Sequence, residues 1–288
     1  MADRQERARQ AARHTGLMKN VYGADIDATI QSAAIYEDGD GRELAVPEPA
    51  FESTHTTVTT DFASKALYGT QGKAVIVDAG AFNHPAGNYE TGAFGPEQAL
   101  CADSDLYPVL CGLKKSYYEK NRGWESGQLF SDRALYLKDV VFANNGKPRR
   151  ADVVVIAAPN RTHALENHRS PEGCDQALEF RIEAALRVAA QGGAETLIMG
   201  AFGCGVLGNS DEKVTGLVKT WLDAHPGVFK TVVFAVPRGS YRAFEAVFGH
   251  DEPKVEKKAE EDKKPEDGDD EDDEGWRDIE LPEGVTLG

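Results

Sequence analysis

Four short runs of apolar, largely β-branched residues constrain this chain most: Ala74–Asp78 (AVIVD), Asp152–Ala157 (DVVVIA), Thr196–Met199 (TLIM) and Thr231–Val236 (TVVFAV). Their apolar residues are continuous rather than alternating, which suits strands covered on both faces. Between the last three lie stretches with helical spacing. Leu178, Ile182, Leu186 and Ala189 place one apolar face along Asp175–Gln191. Val214, Leu217, Val218 and Trp221 do the same in the stretch that begins near Asp211. Gly192-Gly193 closes the first of these, as a glycine just past a helix end does. This alternation predicts an α/β fold of three layers, with a mixed, mostly parallel sheet flanked by helices. Ligands of such sheets bind beyond the carboxyl ends of the strands.

Two glycine-rich loops fall at that place. Gly200–Asn209 (GAFGCGVLGN) follows the run Thr196–Met199 and precedes the helical stretch at Asp211. Its glycines let the backbone approach a ligand closely, and a strand, loop and helix start in that order form a cradle of N–H groups suited to phosphate. It has neither the Gly-Lys-Ser/Thr ending of a Walker A loop nor the GxGxxG spacing of a dinucleotide fingerprint. Composition alone also allows a tight strand-to-helix turn. The second loop, Ala79–Leu100 (AGAFNHPAGNYETGAFGPEQAL), is too long for a simple connector. Pro96 suits the first turn of a helix, which sets Glu97 and Gln98 beside the positive end of its dipole. Read alone, Glu97 is a helix-start carboxylate held in its ionised form.

The chain has 288 residues, 41% hydrophobic and 28% charged, as ordinary soluble domains have. No run of about 18 apolar residues is present, and the first residues, MADRQERARQAARH, are charged rather than apolar. Cys101, Cys111, Cys174 and Cys204 are scattered without a CxxC pair. These features predict a cytoplasmic protein with reduced thiols and neither a zinc nor a disulfide framework. The net charge of −16 divides unevenly, because residues 251–288 hold 17 acidic and 6 basic side chains, a net of −11 that leaves −5 for the rest. A body without a basic stripe is a poor match to nucleic acid. Residues 1–250 read as one domain and 251–275 as an acidic, disordered linker. The tail 276–288 regains Trp276, Ile279, Leu281 and Val285. It is either a docking motif for an unknown partner or an unstructured end.

Taken together, the two loops and the segments between them resemble the microbial-type poly(ADP-ribose) glycohydrolases, a family with the macrodomain fold. The carrying segments are His84-Pro85-Ala86-Gly87-Asn88, Pro96-Glu97-Gln98, Leu106-Tyr107-Pro108, Ala157-Ala158-Pro159-Asn160 and Gly200–Asn209. The resemblance implies that Gly203, Cys204, Gly205 and Val206 hold the diphosphate of ADP-ribose through backbone N–H groups, with Leu207 and Asn209 in the same loop. It assigns Asn83, Gly87 and Asn88 to the distal ribose. The implied partner is ADP-ribose or an ADP-ribosylated macromolecule, without nucleic acid, membrane, cofactor or metal.

The catalytic segment departs from the family pattern. Its three glycines are Ala86-Gly87-Asn88 here, its Gln-Glu-Glu is Pro96-Glu97-Gln98, and the phenylalanine after the diphosphate loop is Leu207. The family's acid, the second glutamate, falls on Gln98. Cleaving an O-glycosidic ribose bond needs a group that protonates the leaving oxygen, which a carboxyl can do and an amide cannot. Glu97 and Glu90 are the remaining carboxylates of the loop, and Glu97 and Gln98 the candidate catalytic positions. Three functions stay open: a hydrolase that removes ADP-ribose, an inactive ADP-ribose reader, and a site for another nucleotide or its cyclic product. Elsewhere, His163 and His168 lack metal-ligand spacing and read as surface residues. Ser210 reads as a helix cap, and Arg4, Arg7, Arg9 and Arg13 as a solvated helix face.

Overall fold

The computed structural model describes residues 3–143 and 147–249. The acidic linker and the tail expected at 251–275 and 276–288 lie outside the described residues. Asp3 opens α1 (Arg4–Ser32) by accepting the Glu6 N–H at 2.8 Å. There follow β1 (Ala34–Tyr36), α2 (Asp40–Glu43), β2 (His55–Thr59), α3 (Ala63–Tyr68), β3 (Ala74–Asp78), α4 (Pro96–Ala102), α5 (Leu106–Gly112) and α6 (Glu119–Asn121). The second half runs β4 (Ala134–Phe142), β5 (Arg149–Ile156), α7 (Arg161–Glu166), α8 (Pro171–Ala190), β6 (Thr196–Met199), α9 (Asp211–Ala224), β7 (Thr231–Ala235) and α10 (Arg238–Phe248).

The strands form one seven-stranded sheet in the order β1-β4-β5-β3-β6-β7-β2. From β5 to β2 every neighbouring pair is parallel, and β4 runs against both β1 and β5. The expected mixed, mostly parallel sheet is therefore present. Side chains of the central strands alternate between two apolar layers. Val75 and Val77 of β3 and Leu197 and Met199 of β6 pack with Leu178, Ile182 and Leu186 of α8 and Val214 and Val218 of α9. Ala74, Ile76 and Ile198 face the other way, toward Ala11 and Ile26 of α1, Leu100 of α4 and Leu106 and Leu110 of α5. Burial on both faces explains why these strands read as continuous apolar runs.

The less regular segments are those that depart from this pattern. In β4 the Lys138-Asp139 pair interrupts the apolar run, and the register shifts between Leu137 and Val140 where Asp139 has φ +55°. Such a bulge hides a strand from period-2 reading. β1 and β2 close the two edges of the sheet and are only partly buried. The strand expected at Asp152 begins at Arg149, and the helix expected at Asp175 begins at Pro171 behind the Ser170 cap.

Register fixes the common edge of the site. Val77 of β3 lies opposite Met199 of β6, and Asp78 opposite Val155 of β5. The loops after β3, β5 and β6 therefore leave the sheet side by side. Among the described residues no helix is long and apolar enough to cross a membrane, and no group of three or more His, Cys, Asp or Glu can hold a metal.

Candidate functional site

The loop after β6 is shaped by an internal clamp. Gly203 has φ +72°, and a Cβ there would stand 2.6 Å from Asn209 Nδ2 and 2.9 Å from Ala158 Cβ. Only glycine satisfies both the left-handed backbone and that close approach. Asn209 is buried, and its Nδ2 donates to Gly203 O at 2.8 Å and to Pro159 O at 2.9 Å. Asn209 thus holds the loop to itself and to Ala157–Asn160, which explains why those two sequence segments occur together. Gly205 and Val206 lead the 3₁₀ turn Gly205–Leu207, where N–H groups have no carbonyl one turn ahead of them. Val206 is 90% exposed, at the open face of the loop.

Cys204 and Leu207 occupy different positions from these. The Cys204 N–H donates to Ala201 O at 3.1 Å, so it serves the turn and is not free to face a diphosphate as expected. Burial and the neighbouring Asp211 push the Cys204 thiol up, which keeps it neutral. Leu207 is half-buried against the core. Ser210 caps α9 by accepting the Lys213 N–H at 3.1 Å, as expected.

The segment Ala157–Asn160 is supported from beneath. Arg181 of α8 donates to Ala157 O and, at 3.1 Å, to Leu129 O. Asn160 caps α7 by accepting the His163 N–H at 3.2 Å. Asp175 pairs with Arg161 and with Lys213, which ties α7 and α9 to α8. His163 and His168 are both exposed, as surface residues should be.

The loop after β3 is braced by groups that sequence reasoning missed. Arg4 Nε donates to Thr91 O at 3.0 Å and Arg7 Nε to Gly92 O at 2.9 Å, which corrects their reading as part of a solvated face. Arg9 pairs with Glu6 on the surface, and Arg13 is exposed. Asn83 Nδ2 donates to Glu125 Oε1, and Phe82 stacks on Phe130 with centroids 4.8 Å apart. Ala86 and Gly87 both have positive φ, +50° and +57°. Gln98 Nε2 donates to Ala86 O at 3.0 Å, so the amide in place of the family's acid braces the loop. Asn88 is exposed, and its carbonyl accepts the Ala93 N–H at 3.1 Å. Glu90 is held at the surface by the Tyr107 hydroxyl at 3.1 Å.

Glu97 differs from its sequence reading. Its side chain turns inward and is buried, with Oε2 accepting the Ala81 N–H at 3.1 Å and lying 3.4 Å from Gln98 Nε2. Burial, and then the charge of Asp78, push its carboxyl well above the usual range. The expectation of an ionised helix-start carboxylate is therefore overturned, because desolvation outweighs the single backbone donor. Asp78, the last residue of β3, is 2% exposed and is pushed by burial up to about 7. Its only sequence signal is an acid that closes an otherwise apolar strand just before the loop. Two concavities, of about 420 Å³ beside Lys219 and Phe248 and about 610 Å³ beside Trp124 and Arg133, involve neither loop. Chemistry and shared strand ends mark the candidate site.

The sheet thus carries two glycine-rich loops side by side at its carboxyl edge and a buried carboxyl beneath one of them, an arrangement whose chemistry suits phosphate and sugar groups. Residues 7–145 match the microbial-type poly(ADP-ribose) glycohydrolase catalytic domain. Comparison with curated proteins finds no match. The structure of poly(ADP-ribose) glycohydrolase from Thermomonospora curvata bound to the inhibitor ADP-HPD is similar, with 26% identity and a TM-score of 0.71 over 85% of this chain and 99% of that one. A second structure of the Thermomonospora curvata enzyme gives 25% identity and a TM-score of 0.72 over the same shares. The glycohydrolase from Deinococcus radiodurans, in complex with ADP-ribose, is 22% identical with a TM-score of 0.68 over 78% of this chain and 97% of that one, and bears on the fold alone. The chain thus resembles the microbial-type poly(ADP-ribose) glycohydrolases in fold as well as in motifs.

Proposed function

We propose that this protein binds ADP-ribose, free or attached to a macromolecule, and hydrolyses the O-glycosidic bond of its distal ribose with Glu97 as proton donor. The diphosphate rests on the N–H groups of Gly203, Gly205 and Val206, in a loop shaped by Asn209 and bordered by Leu207. Cys204 serves that loop through its turn. The distal ribose lies against Asn83, Gly87 and Asn88. The observation that carries the reading is the buried Glu97 beneath the second loop, since a donor must be protonated before the reaction. Glu97 gives its proton to the leaving oxygen as the ribose C1–O bond breaks. Water then adds to that carbon and returns a proton to the carboxylate, leaving one ribose hydroxyl and one alcohol.

A second reading, a reader without turnover, is favoured by Gln98, whose amide is committed to Ala86 O. Calorimetry with ADP-ribose tests what the two readings share, and absence of binding at millimolar ligand refutes both. Incubation with poly(ADP-ribose) and with a mono-ADP-ribosylated protein separates them. Release of ADP-ribose that Glu97→Gln abolishes supports the hydrolase; intact binding with no release leaves the reader.

A further inference from the structure

We infer that Asp78 is a positioning residue that shares one proton with Glu97, so that the pair 78/97 takes the place of two adjacent carboxyls at 97 and 98. The inference deepens the hydrolase reading above and rests on it for its catalytic meaning. Both side chains are buried, Asp78 at 2% and Glu97 at 6% exposure. Asp78 Oδ2 and Glu97 Oε1 have no hydrogen-bond partner. They face the same small gap at Gly80, where a Cβ would stand 3.5 Å from Asp78 Oδ2, 3.1 Å from Glu97 Oε1 and 2.5 Å from Val155 Cγ1. A side chain at 80 would fill the gap that both oxygens border.

The other oxygen of Glu97 has a different fate. Oε2 accepts the Ala81 N–H and lies toward the Gln98 amide, so it acts as the acceptor end of the group. The proton then belongs on Oε1, the end that faces Asp78. Neither carboxyl is ion-paired among the described residues, whereas Asp132 pairs with Arg42 and Asp152 with Lys73.

The surrounding titratable groups do not supply a cation. Cys101 lies on the same helix as Glu97, and Tyr117 and Tyr118 come from the turn Lys114–Tyr118. Burial pushes all three upward, so they stay neutral. Arg133 is taken by Glu37, the Tyr117 carbonyl and Asn121, and Arg181 by backbone carbonyls. Two like charges in such a place are relieved by a single shared proton. The same proton makes Glu97 a donor at neutral pH without a second glutamate on α4, and giving it up leaves the negative charge on Glu97.

Titration of ¹³C-labelled carboxyls in the full chain tests this directly, with Asp78→Asn as the variant. One proton is expected to stay on the pair at pH 7 in the wild type. In Asp78→Asn the Glu97 step should move to lower pH by at least tenfold in proton concentration, as the like charge is gone. Both carboxyls ionised at pH 7 in the wild type, or a Glu97 step unmoved by Asp78→Asn, overturns the proposal. With poly(ADP-ribose), the basic limb of the kcat profile should shift in the same direction at unchanged KM. Wild-type protein that releases no ADP-ribose refutes the hydrolase reading, while the titration still decides the proton pair.

Discussion

Asn209→Asp exchanges one atom type at the clamp of the glycine loop and turns it into a pH-sensitive one. In the wild type Nδ2 donates two hydrogen bonds, at 2.8 Å to Gly203 O and 2.9 Å to Pro159 O. Each such bond contributes about 1 kcal/mol net, so losing both costs about 2 kcal/mol of loop shape. At about 1.4 kcal/mol per tenfold, ADP-ribose should bind roughly 30-fold more weakly at about pH 8. An ionised oxygen facing two carbonyls is repelled, and burial favours its neutral form. Once protonated, the carboxyl donates one of the two bonds again. About half the loss should then be recovered, leaving roughly a fivefold deficit near pH 5.5. Asn209→Leu, which cannot donate at either pH, should show no such recovery. Calorimetry at both pH values reads the effect relative to wild type, with thermal unfolding run alongside to confirm the fold. A folded Asn209→Asp variant that binds ADP-ribose within threefold of wild type at both pH values refutes the idea that this clamp shapes the binding loop.

Glu97→Gln should lower release of ADP-ribose by about 10²–10⁴-fold, the usual contribution of a positioned acid, while calorimetric affinity for ADP-ribose stays within a few-fold. Gln98→Glu should raise release above wild type in the same assay. It should also lower stability by about 1 kcal/mol in denaturant titration, because the donor to Ala86 O is lost. Stability should depend on pH through Asp78, whose carboxyl is raised from the ordinary 3.8 to about 7 in the fold. A group raised in this way contributes fully below its unfolded value and loses that contribution as pH rises through its folded one. The denaturant midpoint of the wild type should therefore fall between about pH 4 and 7, and Asp78→Asn should flatten that slope. An equal slope in both proteins would show that Asp78 is not held protonated.

Much of the fold was legible because the central strands β3, β5, β6 and β7 are covered on both faces and therefore carry short, β-branched apolar runs. The edge strands β1 and β2 lack that cover, and β4 carries a bulge at Lys138-Asp139, so local sequence held little trace of them. The glycine loop at Gly200–Asn209 was readable for a similar reason: close backbone approach demands residue types that stand out. Ser210 as a cap was readable too, since capping is settled within four residues. What a side chain faces across the sheet is not local information. Whether Glu97 points to solvent or inward depends on Asp78 and Gly80 from another element, and so does its protonation. Arg4 and Arg7 look like a solvated helix face until the distant loop Thr91-Gly92 is laid against them. Sequence by itself determined the layered α/β frame and singled out the two glycine-rich loops at its carboxyl edge. The tertiary structure alone decided which carboxyl lies buried beneath the second loop and in which charge state, because desolvation and the nearest charge belong to the assembled fold.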